Sequence, residues 1–293
     1  MLKKLFYTLL FISSANVFSA TEFLVDVDWL QKNLSSANVR IIDMSDDTQY
    51  QRFHIPGAIH LPYQVINVRD KKGVSLSAGK DHIIKILGLL GTTPEHHVVI
   101  YDDMGGLNAS RLFWELEQLG HKNISLLDGG LVKWILSGNK VVAEVPDIKA
   151  VQYKANKTTL QNKSVTAETI LQSKYTAKNI LLDVRSKEEY IGNPAYPRSG
   201  HIPGAKWWEW QQSVNFENGF TMRNPAELKS ELTSLGIKQI DIPITVYCQS
   251  GHRASQSYFT LRNLGFKNVK IYDGSMADYS KIKSAPLNKG LTP

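Results

Sequence analysis

His201-Ile202-Pro203-Gly204-Ala205 repeats, letter for letter, a stretch already present as His54-Ile55-Pro56-Gly57-Ala58. Further matches flank the two pentapeptides in the same order. Upstream, Val39 to Met44 (Val-Arg-Ile-Ile-Asp-Met) pairs with Asn179 to Val184 (Asn-Ile-Leu-Leu-Asp-Val), each an apolar run reaching an aspartate, Asp43 or Asp183. Downstream, Val98 to Tyr101 pairs with Ile244 to Tyr247. Leu119-Gly120-His121-Lys122-Asn123 pairs with Leu264-Gly265-Phe266-Lys267-Asn268, and Asp128-Gly129 with Asp273-Gly274. The offset stays at about 145 residues, too long for the repeat of a solenoid. The 293-residue chain is therefore two copies of one domain.

Within each copy, short apolar runs alternate with helical spacing. Ile180 to Asp183, Ile244 to Tyr247 and Val269 to Tyr272 read as buried strands. Between the last two, Ala254, Tyr258, Leu261 and Leu264 recur at helical intervals, as Ala109, Phe113, Leu116 and Leu119 do in the first copy. These stripes are expected to face a sheet. Such alternation predicts an α/β fold of two tandem domains, each a parallel sheet flanked by helices. The first domain is expected over 21–145 and the second over 164–293, joined by a polar linker at 146–163.

Residues 1–20 stand apart. Lys3 and Lys4 precede an apolar run from Leu5 to Ile12, and small residues follow to Ser19 and Ala20. The run is too short to span a bilayer, which takes roughly 20 apolar residues, and reads as a secretory signal peptide cut after Ser19 or Ala20. A periplasmic or secreted protein, free of the membrane after cleavage, is the expectation. Loss of the two lysines takes the formal charge from +7 to +5, a balance that suits small anions. No basic run with interleaved aromatics points to nucleic acid, and the eight histidines show no metal-ligand spacing. The chain has one cysteine, Cys248, so no internal disulfide can form. An unpaired thiol in an exported protein suggests reactivity.

Its setting agrees. Ligands of parallel α/β folds collect where strands end and helices begin. There the strand Ile244 to Tyr247 runs into Cys248-Gln249-Ser250-Gly251-His252-Arg253, with a helix expected from about Ala254-Ser255. Free amides at a helix start, a curled loop and the charge of Arg253, with His252 as a further contributor, favour the thiolate, which is the nucleophilic form. The first copy carries Asp102-Asp103-Met104-Gly105-Gly106-Leu107-Asn108 at the same place. A carboxylate cannot carry sulfur, so that domain is expected to be inactive.

The chain resembles the tandem-domain rhodanese sulfurtransferases (thiosulfate or 3-mercaptopyruvate type, exported bacterial form) over nearly all of its mature length. The resemblance rests on Asp183 to Arg185, Gly200 to Ala205, the Cys248 to Arg253 loop, and the pairing of an inactive copy with an active one. It implies that Cys248 takes the outer sulfur of a donor such as thiosulfate and passes it, as a persulfide, to cyanide or a thiol, without metal or organic cofactor. Gln249, Ser250, Gly251, His252 and Arg253 would bind substrate through the loop. Arg198, in a second-copy insertion at 192–199, would reach the substrate as well. Asp183 and Arg185 would form a pair propping the loop, with Asp43 playing that part in the first domain, while His201 and His54 would be architectural. Glu189 stands where thiosulfate enzymes often have a basic residue, which is expected to weaken anion binding unless Arg198 compensates. The loop's final arginine favours thiosulfate over mercaptopyruvate. Four residues separate Cys248 from Arg253, one fewer than in related phosphatases, which argues against phosphate as substrate. A carrier that holds persulfide for an acceptor protein would need the same loop.

Overall fold

The computed structural model describes residues 23–172 and 175–293; the leader expected at 1–20 lies outside them. In the first half the chain runs β1 (Leu24–Val25), α1 (Val27–Asn33), β2 (Val39–Asp43), α2 (Asp47–Arg52), β3 (Ile59–His60), β4 (Asn67–Arg69), β5 (Ser75–Ser77), α3 (Lys80–Leu89), β6 (His97–Tyr101), α4 (Ala109–Gln118), β7 (Ile124–Leu127) and α5 (Gly130–Leu136). The second half follows with β8 (Ser164–Val165), α6 (Ala167–Ile170), α7 (Tyr175–Lys178), β9 (Ile180–Asp183), α8 (Lys187–Ile191), β10 (Ala205–Trp207), β11 (Val214–Asn215), β12 (Thr221–Met222), α9 (Pro225–Ser234), β13 (Ile244–Tyr247), α10 (His252–Asn263), β14 (Val269–Tyr272) and α11 (Ser275–Tyr279). The two main sheets have the orders β1-β7-β6-β2-β3 and β8-β14-β13-β9-β10, which are one order used twice. All their pairings are parallel. The hairpins β4–β5 and β11–β12 are antiparallel and stand apart from the sheets.

The repeated pentapeptide is a turn pinned to the central strand. The amide of Ile55 donates to Tyr101 Oη at 3.1 Å, and that of Ile202 to Tyr247 Oη at 3.2 Å. His54 and His201 each stack on a tyrosine, Tyr50 or Tyr190, with centroids 3.9 and 3.8 Å apart. Each Nδ1 meets that tyrosine's carbonyl at 2.8 Å. Gly57 and Gly204 have φ of 78° and 83°, a left-handed turn that disfavours a Cβ. Identical contacts in a copy that lacks the cysteine mark the motif as scaffold.

The stripes on α4 and α10 join cores, and the rest of each helix forms the contact between domains. Every residue of α4 is buried, because its own sheet covers one side and α10 much of the other. Phe113 meets Phe259 edge-on with centroids 5.0 Å apart, a geometry that adds about 0.5–1.5 kcal/mol beyond burial. Polar groups at this contact find partners across it. Glu117 accepts from Arg262 at 2.8 Å and from Tyr258 Oη at 2.5 Å. The Arg111 guanidinium grips the Asp273 carboxylate at 2.6 and 3.1 Å. Two further contacts are reciprocal. The β4–β5 hairpin offers Ser77 N to Asp273 Oδ2 at 2.7 Å, and the β11–β12 hairpin offers Met222 N to Asp128 Oδ1 at 2.7 Å.

Candidate active site

Strand β13 ends at Tyr247 and α10 starts at His252, two residues before the sequence pattern suggests, so His252 and Arg253 lie in its first turn. The reversal occurs at Gly251, with φ 81° and ψ −21°. A Cβ there would sit 2.4 Å from Asp273 Oδ1 and 2.8 Å from the Asp273 carbonyl oxygen, so no other residue fits without displacing the turn behind it. That turn is the floor of the loop. Ser275 Oγ accepts from the amides of Cys248 and Gly251 at 3.1 and 3.2 Å and donates to the Tyr272 carbonyl at 2.8 Å. The amides of Met276 and Ala277 donate to the carbonyls of Cys248 and Gln249. Held at this height, Ser275 has φ 51°, a strained value for a residue other than glycine.

Cys248 is 1% exposed. Around it the amides of Gln249, Ser250, His252 and Arg253 have no partner among the described residues, so one face of the loop offers unclaimed N–H groups. The sister loop shows what such groups hold. In the first domain the Asp102 carboxylate accepts from the amides of Met104, Gly106, Asn108 and Ala109 at 2.7–2.9 Å. Burial pushes the Asp102 carboxyl up, and these four donors oppose the shift. The first loop is an anion nest filled by its own side chain; the second presents a sulfur in the corresponding place.

Asp183 and Arg185 form the expected buried pair, Nη2 to Oδ2 at 2.6 Å, with Nη2 also donating to the Gly200 carbonyl at 2.8 Å. Asp43 departs from that expectation. Ser45 stands at the place of Arg185, and Asp43 instead accepts from Tyr101 Oη at 2.5 Å and from the Ser45 amide at 2.7 Å. Arg198 also differs from what the sequence suggested. Its guanidinium donates to the carbonyls of Ser280, Ile282 and Ala285 at 3.1, 2.8 and 2.8 Å. It therefore ties the insertion to the residues after α11, on the rim of a cavity of about 340 Å³ that Gln249 also lines.

Arg253 is likewise engaged. Its two terminal nitrogens donate to Glu189 at 2.6 and 2.8 Å. Burial works to raise the Glu189 carboxyl, but the guanidinium outweighs it and holds the group below its ordinary range. Glu189 also closes the capping box of α8 with Ser186. The acid at this position thus holds Arg253 in place as well as offsetting its charge. His252 adds no positive charge: burial first, then Arg111 and Arg253, push it down to about 4. Asn108 Nδ2 donates to the Met44 carbonyl at 2.9 Å, which turns Oδ1 toward His252 Nε2 at 2.7 Å, so Nε2 carries the proton of a neutral ring. The His252 ring also lies against Tyr63, with centroids 4.2 Å apart.

Tyr63, Asn108 and Arg111 come from the first domain, and sequence reasoning missed all three. The Asp128/Asp273 repeat was a partial signal, since a recurring aspartate beside the cysteine loop needs a partner. Nothing local named Arg111 as that partner. Trp207, Trp208 and Trp210 lie in the second domain. Trp207 Nε1 donates to the Arg185 carbonyl and Trp208 Nε1 to Glu231.

The rhodanese-like domain description matches this sequence twice, over residues 26–137 and 166–282. The chain belongs to the rhodanese family. It is 34% identical over 288 residues to "Sulfur carrier protein TtuD" of Thermus thermophilus, covering 92% of this chain and 97% of that one. "Thiosulfate sulfurtransferase" of Pseudomonas aeruginosa is 29% identical, covering 93% and 99%. Among solved structures, the anaerobic ergothioneine biosynthesis enzyme of Chlorobium limicola, in complex with trimethyl histidine, superposes with a TM-score of 0.80 at 21% identity, over 92% of this chain and 70% of that one. At that identity the likeness is one of fold. The rhodanese relatives support sulfur transfer as the general chemistry.

Proposed function

We propose that this rhodanese moves sulfane sulfur from thiosulfate, through a persulfide on Cys248, to cyanide or a thiol. The observation that carries the proposal is the pair of sister loops. The loop at this place binds a carboxylate with four amides in one domain, and in the other, one residue shorter, leaves four amides around a sulfur without a partner among the described residues. Cys248 as thiolate attacks the outer sulfur of thiosulfate; the S–S bond breaks and sulfite departs with the electron pair. Cyanide carbon, or a thiolate, then attacks the outer sulfur of the persulfide, and Cys248 leaves as thiolate. The loop amides stabilise the anionic sulfur at each stage. Gln249, Ser250, Gly251 and Arg253 shape that cradle, His252 forms its neutral wall, and Asp183 with Arg185 buttresses it.

Intact-mass measurement after incubation with thiosulfate tests this. The wild type gains one sulfur, about 32 Da, as a nucleophilic thiolate should, and Cys248→Ser gains nothing. An adduct that persists in the variant overturns the assignment. The similarity to a sulfur carrier favours a second reading, persulfide delivery to an acceptor protein. Sustained turnover of thiosulfate with cyanide supports the enzyme, whereas a single-turnover burst supports the carrier. Mercaptopyruvate as donor is disfavoured by a loop ending in Arg253. Residues 1–20 support export to the periplasm or beyond.

A further inference from the structure

Tyr63 comes to the cysteine loop from the first domain. It opens the short 3-10 turn Tyr63–Ile66 after β3, with Pro62 before it. Proline locks its own φ, and Asn67 Nδ2 holds the Tyr63 carbonyl at 2.7 Å, so the backbone is fixed on both sides. The ring lies over that of His252, centroids 4.2 Å apart and planes tilted by 40°, and Asn108 in turn holds the imidazole at 2.7 Å. The phenol oxygen, by contrast, has no hydrogen-bond partner among the described residues. Nor is it one of the sealed polar atoms that lack a partner, so a ligand can reach it. The charged groups that act on it are Arg111, Asp273, Cys248 and Glu115. That set places the oxygen where the cysteine loop meets the Arg111–Asp273 clasp. Burial, opposed by Arg111, pushes the phenol up to about 12. It therefore keeps its proton, and toward an anion it is a donor.

We propose that Tyr63 selects the sulfur donor, its hydroxyl donating a hydrogen bond to a sulfonate oxygen of thiosulfate. The inference rests on thiosulfate as the donor and adds the residue that recognises its oxidised end. Displacement at the outer sulfur requires Cys248, that sulfur and the departing sulfite in line. Sulfite therefore lies on the far side of the outer sulfur from Cys248, beyond the loop amides. A group that recognises its oxygens must stand outside the nest, on the wall that faces it, and the first domain sets an unused O–H on that wall. As the S–S bond breaks and sulfite takes the electron pair, its oxygens gain charge and the hydrogen bond strengthens. The phenol keeps its proton throughout. Cyanide has no such oxygens. It meets only the outer sulfur of the persulfide, after sulfite has gone, and Tyr63 then has nothing to bind.

The test measures each half-reaction alone in the full chain, wild type against Tyr63→Phe. Sulfite release on mixing with thiosulfate gives the loading rate; thiocyanate formation on adding cyanide to the isolated persulfide form gives the unloading rate. Phenylalanine keeps the ring against His252 and removes a hydroxyl that holds nothing in the protein, so the melting temperature should stay the same. Loading should slow about tenfold, the lower end for a hydrogen bond to a charged acceptor. Unloading by cyanide, and alkylation of Cys248 by the neutral reagent iodoacetamide, should be unchanged. An equal fall in loading and unloading would make Tyr63 a support of the loop. An unchanged loading rate would deny the contact, and a variant that fails to fold would show the hydroxyl bound within the protein. Each of these overturns the proposal and leaves the sulfur chemistry standing. A wild type that takes no sulfur from thiosulfate overturns the proposed function, and this inference with it.

Discussion

Glutamine at position 189 isolates the charge of one carboxylate and leaves its shape and capping role in place. Glu189 does two things: it grips Arg253 through two short bonds and closes the capping box of α8. Glutamine serves the capping box as well as glutamate does, so the helix should survive. The ion pair is partly exposed, its side chains 25% and 33% accessible, and screening limits such a pair to about 0.5–1 kcal/mol. Removing a unit negative charge near a dianionic donor adds about 1 kcal/mol at surface-like dielectric. Together these predict a KM for thiosulfate lowered roughly ten- to thirtyfold, since about 1.4 kcal/mol corresponds to a factor of ten. The KM for cyanide should barely move. Steady-state kinetics at constant ionic strength, each substrate varied against the other, measures both. A raised KM for thiosulfate with a fallen kcat would show that Glu189 is needed to aim Arg253, and would refute the reasoning from net charge.

Asp102→Ala should empty the anion nest of the first domain and leave four amides, three part-buried and one buried, without acceptors, costing about 3 kcal/mol; sulfate, compared with chloride at equal ionic strength, should restore part of the lost melting temperature. Burial, partly opposed by Arg111, pushes the Glu115 carboxyl up to about 7 from its ordinary 4.5. A carboxyl raised on folding favours the folded state while it is protonated and loses that benefit as pH climbs from about 4.5 through 7, here about 3 kcal/mol. Glu115→Gln should therefore gain on the wild type by that amount between pH 4.5 and 7.5, as denaturant melts at each pH would show; a constant gap contradicts it. With Cys248 1% exposed, thiosulfate and iodoacetate should modify the native thiol at least about tenfold faster than a bulky maleimide, because access as well as charge sets thiol reactivity. Equal rates would mean that the loop opens freely.

What could be read from the chain before folding was whatever depends on neighbours in sequence. The bounds of β9, β13 and β14 match the apolar runs residue for residue, because strands buried on both faces leave near-continuous hydrophobic patterns, which in β14 only the exposed Lys270 interrupts. The cysteine loop was legible for a similar reason: a strand, a glycine and a helix start are local signals. Partners brought together by the fold were not. Glu189 and Arg253 are 64 positions apart, and the sequence supplied only the sign of each charge, which suggested repulsion of substrate where the structure shows a clasp. Arg198 looked like a free cation because carbonyl acceptors carry no residue signature. Its ligands are backbone oxygens more than eighty positions away. The helical stripes marked which side of α4 faces its sheet but not what covers the rest, since a helix covered all round still carries Arg111 and Glu117 when the second domain supplies their counter-charges, Asp273 and Arg262.

The hairpins that cross between the domains set a limit on how the protein can be divided. Ser77 reaches Asp273 and Met222 reaches Asp128, so each half lends the other one strand-end amide from the same part of its fold. Such an exchange is what two identical molecules make about a twofold axis. The linker converts a pairing that dilution could dissolve into an intramolecular one. Cutting the chain between residues 146 and 163 should leave two pieces that still seek each other, and neither alone would keep its acidic turn satisfied.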